Sequence, residues 1–237
     1  MEGEGQSNFK NEIQETIRDS LLILIFEFLG TGLLAMLYMN CEQLMDTCGF
    51  FIGVYILIIF SAKISGSHFN PAITLAFMFR RDIGRFNRLL GIAYMIFQLG
   101  GAITGVLVSY IITGSLADLT IQDSQTFGAL ITEAVGAFIL TFLYLSQTEQ
   151  KTKISKDPGI TTLVISAAYV AGTSISSIPT LGTGRTPLNP AIAFAQDFVN
   201  IFEGQSGGFA DLWVYLSMPF AGAMVAVFFF EIIFKRV

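Results

Sequence analysis

The chain of 237 residues is 53% hydrophobic and 13% charged, with a mean hydropathy of +0.65. A soluble domain carries about a quarter charged residues, so this composition excludes an ordinary soluble fold and points to a polytopic membrane protein. The formal net charge of −5 sits mostly in acidic ends and loops, and argues neither for a nucleic-acid partner nor for a polybasic lipid anchor; no nucleic-acid partner is expected.

Met1 to Asp19 forms an acidic polar head. The first apolar run, Ser20–Met39, has the length of a full span and does not read as a cleaved signal. Further spans are expected at Gly49–Ala62, Leu89–Thr113, Phe127–Ser146, Gly159–Ser176 and Leu212–Phe234. Two apolar segments, Pro71–Phe79 and Pro190–Val199, are too short to cross. They read as re-entrant half-helices, which a bilayer tolerates only where their backbone lines a cavity.

Each half-helix begins at the proline of a triplet Asn-Pro-Ala, at Asn70-Pro71-Ala72 and Asn189-Pro190-Ala191. Proline suits the first helical position and the preceding asparagine can cap the helix start. The two asparagines lie 119 positions apart (189 − 70), half the chain. The flanks repeat as well. Glu27-Phe28-Leu29-Gly30-Thr31 corresponds to Glu133-Ala134-Val135-Gly136-Ala137, and Gly101-Ala102 to Gly222-Ala223. Equivalent positions are three spans apart, so the halves, 1–113 and 127–237, run in opposite directions within one 1–237 domain. The expected fold is an all-α, six-helix membrane bundle with two re-entrant half-helices and an inverted repeat.

Six spans put both termini on one side. Lys10, Arg18, Lys63, Arg80, Arg81, Arg85, Arg88, Lys151, Lys153, Lys156, Lys235 and Arg236 all fall there, so that side is cytoplasmic. Arg185 alone falls on the far side. Cys41 and Cys48 flank the first outer loop, where unpaired thiols are the simpler reading than a disulfide. The glycines of the spans read as close helix contacts. Glu27 and Glu133 are intramembrane carboxylates, which need partners. One reading is a proton or ion site. The other, favoured by their symmetric placement, is a brace accepting backbone N–H groups from the loop of each half.

On these residues the chain resembles the aquaporin, or major intrinsic protein, family. The string Ser65-Gly66-Ser67-His68-Phe69-Asn70-Pro71-Ala72-Ile73-Thr74 carries the resemblance, together with Glu27 to Thr31, Tyr94 to Gly101 with Gln98, and Trp213 to Gly222 with Pro219. The resemblance implies a homotetramer in membrane lipid with one pore per subunit. It also implies passage of water or small neutral solutes (glycerol, urea, ammonia, peroxide), with no cofactor. Asn70 and Asn189 would donate to permeants at mid-pore and the half-helix dipoles would oppose protons and cations. His68 would line the inner half of the pore, hold the loop by hydrogen bonds, or do both.

The sequence departs from the family at the outer constriction. Most members carry arginine directly after the second triplet; here that position is Ile192. The remaining filter positions map to Phe50, Thr173 (or Ser177) and Thr186. Arg185, in a glycine-rich loop, has the reach to replace the missing guanidinium, or it is a solvated loop residue. A passive channel is the leading function. A non-conducting structural or junctional protein of the same fold is the alternative, and a proton-coupled transporter using Glu27 and Glu133 ranks lowest. An enzyme is not expected: there is one histidine, no nucleophile–base set and no metal-ligand spacing.

Overall fold

In a computed structural model the described residues are 2–41, 44–81, 86–116, 119–177, 186–204 and 207–236, and these form helices joined by turns and irregular loops, with no strand. The helices are α1 (Glu2–Met39), α2 (Leu44–Ser61), α3 (Pro71–Met78), α4 (Arg88–Thr113), α5 (Thr126–Thr148), α6 (Pro158–Ser176), α7 (Pro190–Asn200) and α8 (Leu212–Ile232). Among the described residues, five stretches are long and apolar enough to cross a membrane: Arg18–Met39, Arg88–Thr113, Thr126–Thr148, Pro158–Ser176 and Leu212–Arg236. The apolar part of α2, Thr47–Ser61, is shorter. The polar head is not a separate segment, because α1 runs unbroken from Glu2 into the first span.

The half-helices α3 and α7 begin at Pro71 and Pro190, each with its asparagine as N-cap. Asp157 and Pro158 start α6 by the same device, with the Asp157 side chain accepting from the N–H groups of Gly159 and Ile160. Large apolar side chains such as Leu29, Phe60, Ile96, Ile111 and Phe228 are exposed around the bundle, as lipid-facing surfaces require.

The most extensive helix pairs are α1 with α4 and α5 with α8, which are equivalent pairs in the two halves. Glycine sets both contacts. A Cβ on Gly101 would lie 2.1 Å from the carbonyl oxygen of Phe28, and one on Gly222 would lie 2.2 Å from that of Ala134. Phe28 follows Glu27 and Ala134 follows Glu133, so the same position of the repeat touches the same glycine in each half. Cys41 and Cys48 are unpaired thiols.

Candidate functional site

The two half-helices approach N-terminus to N-terminus, each capped by its own asparagine and tied to the other half. Asn70 Oδ1 accepts from the Ala72 N–H at 2.8 Å, and Asn70 Nδ2 donates to the Leu188 carbonyl at 2.9 Å. Asn189 Oδ1 accepts from the Ala191 N–H at 3.1 Å, and Asn189 Nδ2 donates to the Phe69 carbonyl at 2.7 Å. The bonds are reciprocal, and both asparagines are fully buried. Phe69 and Leu188 have φ of 48° and 50°, the left-handed region that non-glycine residues seldom occupy. That conformation presents each carbonyl to the opposite asparagine, so the strain accompanies the crossed bonds. The Phe69 ring packs on Gly30, and the Leu188 side chain packs against Gly136 and Gly172. Two positive dipole ends are thereby aimed at one small region.

Glu27 holds the first loop in place. Its carboxylate accepts from the N–H groups of His68 at 3.1 Å and Phe69 at 2.8 Å, and from Gln98 Nε2 at 2.8 Å. Gln98 also donates to the Thr74 hydroxyl at 2.9 Å, which lies 3.2 Å from His68 Nδ1. A charged acceptor facing two loop donors makes strong bonds in a low-dielectric interior. Glu133 is also fully buried and faces the Thr186 hydroxyl and the Leu188 backbone. However, neither oxygen of Glu133 has a partner in hydrogen-bonding geometry among the described residues. The two carboxylates are equivalent in position but not in their bonding.

His68 is buried within a ring of aromatic side chains: Phe77 at 4.3 Å between centroids, Phe86 and Tyr94 each at 5.3 Å, and Tyr144 at 6.3 Å. The Tyr94 hydroxyl donates to the Ser65 carbonyl at 2.6 Å. The Tyr144 hydroxyl contacts the Gly66 carbonyl and lies 2.9 Å from that of Ser67.

Beyond the asparagines, Phe50 of α2 meets Tyr169 of α6 edge-on at 6.5 Å. The Thr173 hydroxyl is turned back onto its own helix, donating toward the carbonyls of Tyr169 and Val170 at 3.0 Å. The Thr186 hydroxyl bonds that of Ser176, and the Thr186 N–H reaches Ser177 Oγ at 3.4 Å. Ile192 is buried in α7, in the same apolar cluster as Phe50 and Tyr169. Arg185 lies outside the described residues.

At the end of the bundle that carries the C-terminus, Arg80 follows α3 and joins the two halves. It reaches Glu149 at 2.7 Å and Glu231 at 3.8 Å, and Lys235 reaches Glu149 at 3.3 Å. Its guanidinium also lies over Phe77 and Phe230, at 5.5 and 5.7 Å from the ring centroids. These side chains are only 6 to 20% exposed. Arg80→Ala would leave two mostly buried carboxylates with Lys235 as their one cation among the described residues. It is expected to destabilise the fold by about 3 kcal/mol, read as a lower melting temperature in detergent, whereas Arg81→Ala, on an exposed residue, is expected to leave it unchanged.

Sequence reasoning assigned Arg80 to topology alone and passed over Tyr144 and Tyr169. A signal for Tyr144 was present: Glu133, Ala137, Leu140 and Tyr144 recur at helical spacing on the buried face of α5.

A family model described as major intrinsic protein matches residues 5–230. Aquaporin PIP2-4 of Oryza sativa subsp. japonica is 30% identical over 191 residues, covering 77% of this chain and 63% of its own length. Aquaporin PIP2-1 of Arabidopsis thaliana gives the same identity and the same coverage. The matched region thus spans less than two thirds of these relatives. Among solved structures, the aquaglyceroporin from Plasmodium falciparum superposes with a TM-score of 0.68 at 23% identity, over 92% of this chain and 98% of that one, a likeness of fold.

Proposed function

The chain belongs to the major intrinsic protein family, and from that premise we propose that it is a passive membrane channel for water and small neutral solutes such as glycerol, urea, ammonia or peroxide, closed to protons and ions. The observation that carries this reading is the reciprocal asparagine pair. Each amide uses one N–H on the opposite carbonyl and retains a second for a permeant. The two facing helix starts disfavour cations there.

In this reading Phe50, Thr173, Thr186 and Ile192 form the outer filter, with Arg185 at its mouth. Ile192 offers no donor where most relatives of this family place arginine, so the filter is more apolar. Glu27 and Glu133 are structural. The chain is one domain of two inverted halves, assembled as a homotetramer in lipid with both termini cytoplasmic. The exposed apolar flanks and the Arg80–Lys235 cluster at one end support that placement.

Stopped-flow swelling of liposomes holding the purified full chain tests the proposal. Water permeability above bare liposomes is expected, with no dependence on a proton gradient. Permeability equal to bare liposomes for water, glycerol and urea alike would instead favour a non-conducting member of the family. One observation favours that second reading: Phe50, Tyr144, Tyr169 and Ile192 belong to one continuous buried cluster.

A further inference from the structure

The segment Ser65–Ser67 lies between α2 and α3, where its carbonyls are not used by a helix. Three of them are taken by tyrosines. Tyr94 takes that of Ser65, and Tyr144 takes those of Gly66 and Ser67. Tyr144 belongs to α5, in the other half of the chain, so its ring bridges from the second half to the loop of the first. The ring stands edge-on to Phe77 at 5.7 Å and 88°, and to His68 at 6.3 Å and 85°. Edge-to-face rings within about 7 Å are in contact, so no permeant fits between them. One level further on, Tyr169 stands edge-on to Phe50. Its hydroxyl faces the Asn70 amide and has no hydrogen-bond partner among the described residues, although Tyr169 is only 3% exposed.

Loop carbonyls beside paired asparagines are where a permeating hydroxyl would bond. Here protein hydroxyls stand in the same places. We propose that Tyr144 and Tyr169 determine what this pore passes. Tyr144 is a latch whose hydroxyl occupies the Gly66 and Ser67 carbonyls, and it must swing aside for transit. Tyr169 is a second constriction, whose unpartnered hydroxyl and the Asn70 amide select a small neutral permeant that both donates and accepts hydrogen bonds. Arg80 bears on the latch through Phe77, which it covers and which the Tyr144 ring touches. This inference rests on the channel reading above.

The test is osmotic and solute swelling of liposomes holding the full chain as wild type, Tyr144→Phe, Tyr144→Ala and Tyr169→Ala, normalised to folded protein by gel filtration. Losing the latch bond while keeping the ring is worth about three- to ten-fold in the open population, so Tyr144→Phe is expected to raise unit water permeability by that factor. Tyr144→Ala is expected to raise it at least as far. Tyr169→Ala is expected to raise the glycerol-to-water permeability ratio. Wild-type flux above bare liposomes with all three variants unchanged would overturn the inference and leave the channel reading standing. A rise in Tyr144→Ala alone would overturn the hydrogen-bonded latch. If all four proteins stay at the level of bare liposomes, the channel reading fails and the inference fails with it.

Discussion

Glu27→Gln is expected to abolish most of the folded yield while leaving permeability per folded molecule within about two-fold of wild type. The carboxylate accepts from two loop N–H groups and from Gln98, all within 3.1 Å and all buried. Glutamine keeps one acceptor oxygen and turns an NH2 toward a backbone donor that needs an acceptor. Each lost bond to a charged acceptor is worth about 1.5–3 kcal/mol, and an unsatisfied buried donor adds a desolvation penalty. The loop then loses its hold on Phe69, whose left-handed φ of 48° persists only while its surroundings fix it. Phe69 in turn supplies the carbonyl that Asn189 needs. Glu133→Gln is expected to cost less, because neither oxygen of Glu133 makes a bond of that quality among the described residues. Yield after gel filtration, followed by swelling per folded molecule, checks both. Normal yield with loss of a flux driven by a proton gradient would instead assign Glu27 to proton coupling.

The helix plan was legible because it rests on local rules. Proline at the first helical position with asparagine before it placed the starts of α3 and α7 at Pro71 and Pro190. Other helix ends are less sharp: α7 runs to Asn200, one residue past the expected stop, and α1 starts as early as Glu2, since the head holds no proline. What crosses between the halves was not legible. The Tyr144 hydroxyl reaches carbonyls 77 and 78 residues earlier in the chain, and a tyrosine in an apolar span looks like any other packing residue. Arg80 carried two messages, and only its charge was read; its burial between Glu149 and Glu231 depends on three helix ends meeting. The positions proposed for the filter, Phe50, Thr173, Thr186 and Ile192, were assigned by resemblance. Their surroundings, including Tyr169 against Phe50, came only with the fold.

Gly101→Leu and Gly222→Leu are expected to be equally damaging, each removing the folded protein from the membrane fraction. The atom in the way is a backbone oxygen in both cases, at 2.1 Å in one half and 2.2 Å in the other. Even a methyl there must push α4 off α1, or α8 off α5, because a carbonyl in a helix cannot rotate away. Separating the helices also moves the buried carboxyl next to the contacted carbonyl, Glu27 or Glu133, and in the first half that carries the damage to the loop bonds Glu27 holds. The control is Gly49→Ala. Gly49 is helical, exposed, and has nothing among the described residues within 4 Å of an added Cβ. Alanine there is expected to be neutral or to stabilise by up to about 1 kcal/mol, because glycine is the poorer helix former. Melting of detergent-purified variants, with membrane-fraction yield, reads all three. Equal damage at Gly101 and Gly222 is what the inverted repeat requires. If one leucine were tolerated, the two halves would not bear load in the same way, and the closeness seen at that helix crossing would not be needed for folding.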